Sequence, residues 1–405
     1  MQFHTRPPAR LLVLLLALAP VAARADDWSV TTADFHTDPV TLRGLSPAGV
    51  HVSAVDGSGD RTVPLDQFVS AQRGGAAAPA DVPRFTLALA DGDRLVGEPA
   101  AVAGESLAWA EPLLGRVPVP LGELVAMGRG ATAAVPDERP KQDVVTLGNG
   151  DTVAGVFTGC GEGKLAVQAS DGGTTDVPLA NVARVAFAST GVAAAPVARA
   201  FRVRLADGSA VTAAGVDVDG DAVTLTLPAK DAKPLPLHLS DVAAIEQLNG
   251  PVGWLSSRTP VESVQVPYLG GAPVWPARFD AAVDGSPLAF AGQSYDHGIG
   301  VHAYSRLTFA VEAGWGAFRT QYAIDSRRDA PRLLADVTVR VKVDGKVVHE
   351  QQHVRAGVLS PVVRVNLAGA KTLTLECDYG PAGDTQAHLD WLQPALLRDA
   401  AGRQP

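Results

Sequence analysis

The feature that most constrains this chain is a repeat. Four tripeptides, Val63-Pro64-Leu65, Val119-Pro120-Leu121, Val177-Pro178-Leu179 and Leu235-Pro236-Leu237, place their prolines 56, 58 and 58 residues apart. A second marker keeps step. Asp91-Gly92, Asn149-Gly150 and Asp207-Gly208 each begin 29 residues before the proline that follows. Two markers sharing one period define an internal repeat. Around them run short alternating segments such as FTLAL, Phe85–Leu89, separated by turn residues. Asp-Gly and Asn-Gly suit tight hairpin turns because they tolerate positive φ. Proline lacks an amide N–H, so each proline strand belongs at an edge or a bulge. The pattern predicts five short strands per unit.

The units span residues 26–75, 84–129, 142–189 and 200–249. The first lacks the Asp-Gly turn but keeps the later half of the plan, GVHVSAVDGSGDRTVPLDQFVSA. The hairpin pattern of apolar strand, Asp-Gly, apolar strand and glycine resembles the small β-barrels of the Sm-like and SH3-like type. No Sm-type RNA-binding motif is present. The formal charge of −9 comes without a basic stripe, which argues against nucleic acid and anionic membrane as partners. The repeats read as spacers or as modules that dock envelope proteins. Ala/Pro/Gly-rich linkers, Gly74–Pro83, Gly130–Gln142 and Ser189–Ala198, separate them.

The first 25 residues read as a secretory signal peptide: Arg6 and Arg10, the apolar run LLVLLLALAPV, and Ala23-Arg24-Ala25 before Asp26. The run is too short to span a bilayer, and no later segment is long and apolar enough for a membrane helix. These features predict a secreted or periplasmic protein. Cys160 and Cys377 lie far apart in sequence, in surroundings unlike a nucleophile site, and read as two separate thiols.

From Trp254 onward the period vanishes and aromatics concentrate, with Trp254, Trp275, Trp315 and Trp391 in this part. Legible strands include SRLTFAVE, AFRTQYAI, PVVRVNL and KTLTLECDYG, and VRVKVDGKVVHE is a hairpin turning at Asp344-Gly345. Short antiparallel strands over 251–398 suit one jelly-roll sandwich. The expected fold is all-β: four small β-barrel-like repeats followed by a jelly-roll β-sandwich.

Within this region Tyr295–Leu307, YDHGIGVHAYSRL, sets two histidines five residues apart. A metal site wants three or four ligands at a suitable spacing. Here Gly298 and Gly300 break any helix, and the two histidines of a strand would face opposite sides. A catalytic histidine needs a nucleophile held against it, and no G-x-S-x-G elbow exists. Two readings stand. Either the glycines let a central strand enter tightly with His302 half-buried in the core, or the segment contributes to a binding site.

The segments SPLAFAGQSYDHGIGVHAYSRLTFAV, AFRTQYAIDS, VRVKVDGKVV and LDWLQPAL, in this order, resemble the NPCBM family of carbohydrate-binding modules, which have a galactose-binding-like jelly roll. Ala323 stands where the family usually has glycine, and the end around Trp391 reads HLDWLQ rather than the usual acidic and alanine residues. The resemblance implies binding of a galactose-type or envelope glycan without catalysis. It leaves room for a structural calcium ion, although no Asp-rich loop declares one. A pyranose offers an apolar face and a ring of hydroxyls. Tyr295, Trp315 and Trp391 are candidates to cover the face, and His297, His302, Asp325 and Asp390 to meet the hydroxyls. The alternative is an envelope structural protein whose repeats dock partners and whose jelly roll binds no sugar. A glycoside hydrolase needs two carboxylates flanking a cleft, and the acidic residues of the repeats sit in turns.

Overall fold

The computed structural model describes residues 28–55, 59–74, 84–130, 139–188, 199–228, 233–271, 275–327 and 330–398. The expected signal peptide, and most of the Ala/Pro linkers, lie outside these residues. The described part is built from β-strands and four short 3-10 turns.

Each repeat is a five-stranded meander whose last strand returns to its first. In the first unit Trp28–Thr32 pairs with Thr37–Ser46, which pairs with Gly49–Ala54, which pairs with Asp60–Val63. Phe68–Arg73 then closes back onto Trp28–Thr32. The second and third units follow the same order. Their proline strands, Gly115–Pro120 and Thr174–Pro178, each pair on one side only, so the missing amides interrupt no ladder. The long second strand bends at a bulge. Gly97 and Gly155 sit at equivalent places, where an added Cβ would lie 2.1 Å from the Ala110 carbonyl oxygen and 2.3 Å from that of Gln168. The fourth unit has Ala213 at this place, and its strand is broken there into Ala210–Ala213 and Gly215–Asp219. A side chain that cannot approach the neighbouring backbone forces the ladder apart.

The units are not independent beads. Leu124–Arg129 of the second pairs with Val182–Ala186 of the third, and Phe68–Arg73 of the first pairs with Val242–Leu248 of the fourth. Each pair shares one core. Trp109, Leu107, Phe157 and Val185 lie in the inner pair, and Trp28, Phe68, Val203 and Ile245 in the outer pair. The closing strand of every unit thus meets another unit rather than solvent, which removes an exposed edge. A polar seam joins the second unit to the fourth. The Asp93 carboxylate accepts from the Thr212 amide at 2.7 Å and its hydroxyl at 2.6 Å, and Ser209 Oγ donates to Glu111 Oε1 at 2.9 Å.

The C-terminal part is a two-layer sandwich. One layer runs Arg278–Phe279, Gly298–His302, His388–Arg398, Trp315–Ile324, Val363–Asn366, with Val252–Trp254 also on His388–Arg398. The other runs Glu262–Gln265, Ser305–Ala310, Thr372–Tyr379, Asp336–Val343, Lys346–Arg355. Alternating residues of both layers meet in a core of Phe309, Phe318, Tyr322, Val339, Leu389 and Trp391. The hairpin at Asp344-Gly345 forms as read, with φ of 48° and 77° at the two turn residues. Cys160 and Cys377 are both free thiols.

The sandwich docks on the outer pair of repeats. The first hairpin turn of unit one carries Phe35 edge-on to Trp254, ring centroids 5.9 Å apart, with the Arg319 guanidinium 3.9 Å over the Phe35 ring. Val69, Val252, Ala395 and Leu397 complete this small core.

Candidate functional site

The strand Gly298–His302 crosses the sandwich between the repeats and the open loops, and its two flanking histidines occupy unlike places. His297 lies at the docking seam. Its ring stacks on Trp254 at 4.4 Å, its Nε2 is 2.8 Å from Glu246 Oε1, and its Nδ1 is 3.4 Å from Asp280 Oδ1. Burial disfavours the charge, but Glu246 and Asp280 outweigh it and hold the imidazole protonated, raising its pKa to about 10. Beside it Asp296 receives both arms of the Arg204 guanidinium at 3.1 Å and the Gln72 amide at 3.0 Å. His297 therefore lies at the junction and is not among the residues that line the cleft described below.

At the other end, His302 lines a cleft of about 250 Å³ together with Gln265, Pro267, Trp275, Ala303 and Asp384. Trp275 is 37% exposed. Its indole runs nearly parallel to the His302 ring at 6.5 Å and lies 4.9 Å from His388. Its backbone carbonyl accepts from the Gln265 side-chain amide. Burial lowers the pKa of His302 and takes His388 down to about 4, so both imidazoles are neutral at neutral pH. In neutral His302, Nδ1–H donates to the Ala303 carbonyl at 2.8 Å, which leaves Nε2 as a lone-pair acceptor. The cleft thus combines an indole surface, a neutral acceptor, an amide and a carboxylate.

The remaining expected ligands sit elsewhere, each for a packing reason. Trp391 is fully buried at the centre of the core, edge-on to Tyr322 at 5.6 Å. Trp315 is buried between the Arg258 and Arg398 guanidiniums, 5.2 and 4.5 Å from its ring, and donates to Glu312 at 3.0 Å. Tyr295 is buried with Ala282, Leu288 and Leu392. None of these three rings offers a face to a ligand. Asp325 and Asp390 are both buried. Arg327 and Arg332 neutralise this cluster, reaching Asp284 at 2.6 and 3.4 Å and Asp325 at 3.4 and 4.0 Å. Burial and the nearby Asp325 charge raise the Asp390 pKa well above its ordinary value, against the pull of Arg327 and Arg332. The Asp325–Asp329 run is described only as far as Arg327. Among the described residues no group of three or more His, Cys, Asp or Glu could hold a metal ion.

Of the seven expected residues, His302 alone lines the cleft. Trp275, Gln265 and Asp384 were not expected there. Trp275 did carry a signal: it stands in GGAPVWPAR, a Gly/Pro-rich stretch with no strand alternation to bury it. A large aromatic on a loop is a binding candidate before it is a core residue.

The C-terminal part is thus a two-layer β-sandwich with a polar-lined cleft beside its end loops. Residues 252–397 match the NPCBM/NEW2 domain, the family that the motifs of this region resemble. Over 117 residues the chain is 29% identical to a Renibacterium salmoninarum protein named "Putative endo-alpha-N-acetylgalactosaminidase". That match spans 29% of this chain and only 8% of the relative. Among solved structures, the chain is similar to CBM51-2 with the INT domains of Clostridium perfringens ZmpB, in complex with GlcNAc. There the identity is 22% over 45% of this chain and 37% of that one, with a TM-score of 0.33. It is also similar to CBM51 of Clostridium perfringens GH95 in complex with methyl-galactose. There the identity is 21% over 36% of this chain and 99% of that one, with a TM-score of 0.30.

Proposed function

We propose that this chain is an exported glycan-binding protein that holds a galactose-type pyranose at the open end of its jelly roll and does not hydrolyse it. The observation that carries this reading is the half-exposed Trp275 indole beside His302, Gln265 and Asp384 in one cleft. The indole covers the apolar face of the sugar. His302 Nε2 and the Asp384 carboxylate accept from hydroxyls, and the Gln265 amide both donates and accepts. Hydrolysis needs two carboxylates flanking the bond. Among the described residues the cleft is lined by one, Asp384, while Asp325 and Asp390 are buried, which supports a binding role. The paired repeats serve as a rigid pedestal, with their closing strands engaged internally.

One stacked ring and a few hydroxyl bonds support a dissociation constant on the order of 0.1–1 mM. Calorimetry or ligand-observed NMR with galactose, N-acetylgalactosamine and their methyl glycosides tests the reading. Wild-type chain binds at least one of them and releases no reducing sugar from aryl galactosides. Absence of binding across a broad glycan panel overturns it.

A further inference from the structure

Four exposed apolar side chains stand near the cleft; the Tyr268 ring rests edge-on against Tyr379 at 5.1 Å, while Leu269, Leu333 and Leu334 stand mostly in solvent. Tyr268 and Leu269 occupy the tip of a β-turn closed by the Gly270 amide on the Pro267 carbonyl at 3.0 Å. Leu333 and Leu334 occupy the tip of a second, closed by the Ala335 amide on the Arg332 carbonyl at 3.2 Å. Leu269 is 92% exposed and Leu333 81%, the two highest values among the large apolar residues described. Singly exposed leucines need no explanation. Paired apolar residues at turn tips are another matter, because those positions favour Gly, Asn, Asp, Pro and Ser. The chain obeys that preference at Asp91-Gly92, Asn149-Gly150, Asp207-Gly208 and, in this same domain, Asp344-Gly345.

Both apolar turns are fastened to one loop. The Tyr268 amide donates to Asp384 Oδ2 at 2.9 Å, and the Leu334 amide donates to Gln386 Oε1 at 3.0 Å. Asp384 also lines the cleft, as does Pro267 at the base of the first turn. The two apolar tips thus project beside one polar pocket.

We propose, building on the glycan-binding reading above, that the sugar recognised is the headgroup of a neutral glycolipid, and that the two turns dip into the bilayer beside it. A soluble glycan needs the Trp275 face and the polar groups and gains nothing from leucines beyond the pocket. A lipid-linked sugar places an acyl surface directly beneath its ring, within reach of side chains that project past the cleft. Exposed apolar turn tips suit shallow insertion, where each buried methylene adds a small favourable increment. The charge selects the type of membrane. Neither turn carries a lysine, the Arg332 guanidinium is engaged with Asp284, and the whole chain has 43 acidic against 34 basic residues. An anionic leaflet would repel it, so the lipid is uncharged.

Vesicle flotation with the full chain tests this. The vesicles are phosphatidylcholine alone and phosphatidylcholine containing a galactosyl diacylglycerol, with calorimetry on soluble methyl galactoside in parallel. Galactolipid vesicles bind at least about tenfold more tightly than the soluble sugar, a ratio worth about 1.4 kcal/mol. The double variant Leu269→Ser, Leu333→Ser loses that advantage and keeps the wild-type affinity for methyl galactoside. Trp275→Ala loses both. Soluble sugar bound as tightly as galactolipid vesicles, or vesicle binding untouched in the leucine variant, overturns the lipid inference and leaves the glycan-binding reading standing. Equal binding to plain phosphatidylcholine overturns it too, because the sugar then selects nothing. Failure to bind either form of the sugar overturns both.

Discussion

His297 and His302 bracket one five-residue strand, yet they end in opposite chemical states. His297 faces a carboxylate brought by the fourth repeat and one from its own domain, and it stays charged to about pH 10. His302 faces a half-open cleft with its Nδ1 committed to a backbone carbonyl, and burial keeps it neutral. The residues between them are nearly the same in kind: glycine, isoleucine, glycine, valine. The difference teaches that the role of a histidine in this strand is decided by what arrives from outside it. One end of the strand is a structural seam, and the other lines a half-open cleft, the proposed ligand surface.

The largest expected effect lies between the two ends. Trp391 pairs across the strand from Ile299 and is fully buried, so Trp391→Ala costs about 3–5 kcal/mol of stability. Thermal unfolding followed by circular dichroism measures this. A loss under 1 kcal/mol would remove Trp391 from the core.

At the seam, His297→Gln removes a half-buried cation that pairs with both Glu246 and Asp280, a cost of about 2–3 kcal/mol. The pH dependence carries a definite sign. The folded pKa is raised, so the contribution of His297 is complete below its ordinary value near 6.5 and is lost as pH rises through about 10. Wild-type stability attributable to the seam falls across that window, and the His297→Gln variant shows no such fall. Equal alkaline slopes in denaturant titrations would separate His297 from the docking.

At the open end the expected effects are on binding and not on folding. Trp275→Ala weakens the glycan about tenfold or more, while stability changes by about 0.5 kcal/mol or less because the ring is exposed on a loop. If both fall together, Trp275 is structural and the two ends of the strand are alike. The smallest effect is in the pH profile. Glycan affinity stays level at and above neutral pH and declines only below the ordinary imidazole range, because burial lowers the His302 pKa and protonation removes its acceptor. A decline centred above pH 6.5 contradicts that assignment.

Much of the architecture was legible. The 58-residue period announced the repeated units, because a turn and a proline each demand a special backbone geometry at one place in every unit. Asp344-Gly345 marked its hairpin for the same reason. The NPCBM motifs placed the last domain. The residues of the candidate site were much less legible. Trp315, Trp391, Tyr295, Asp325 and Asp390 have the side chains a sugar site uses, but those types also fill cores and buried ion clusters. Only their neighbours across the sandwich tell the two apart.

The sequence by itself determined what depends on residues close along the chain: where strands begin and turn, how often the unit recurs, and which face of each strand is apolar. Tertiary structure decided what depends on distant partners. It joined the first unit to the fourth and the second to the third, although chain order links neighbours, because the closing strand of each unit needs a hydrogen-bonding edge and any unit can supply one. It also carried Glu246 to His297 across a domain boundary and left His302 at a cleft. Strand pairing and side-chain charge respond to what stands opposite in space, and linear order does not specify that neighbour.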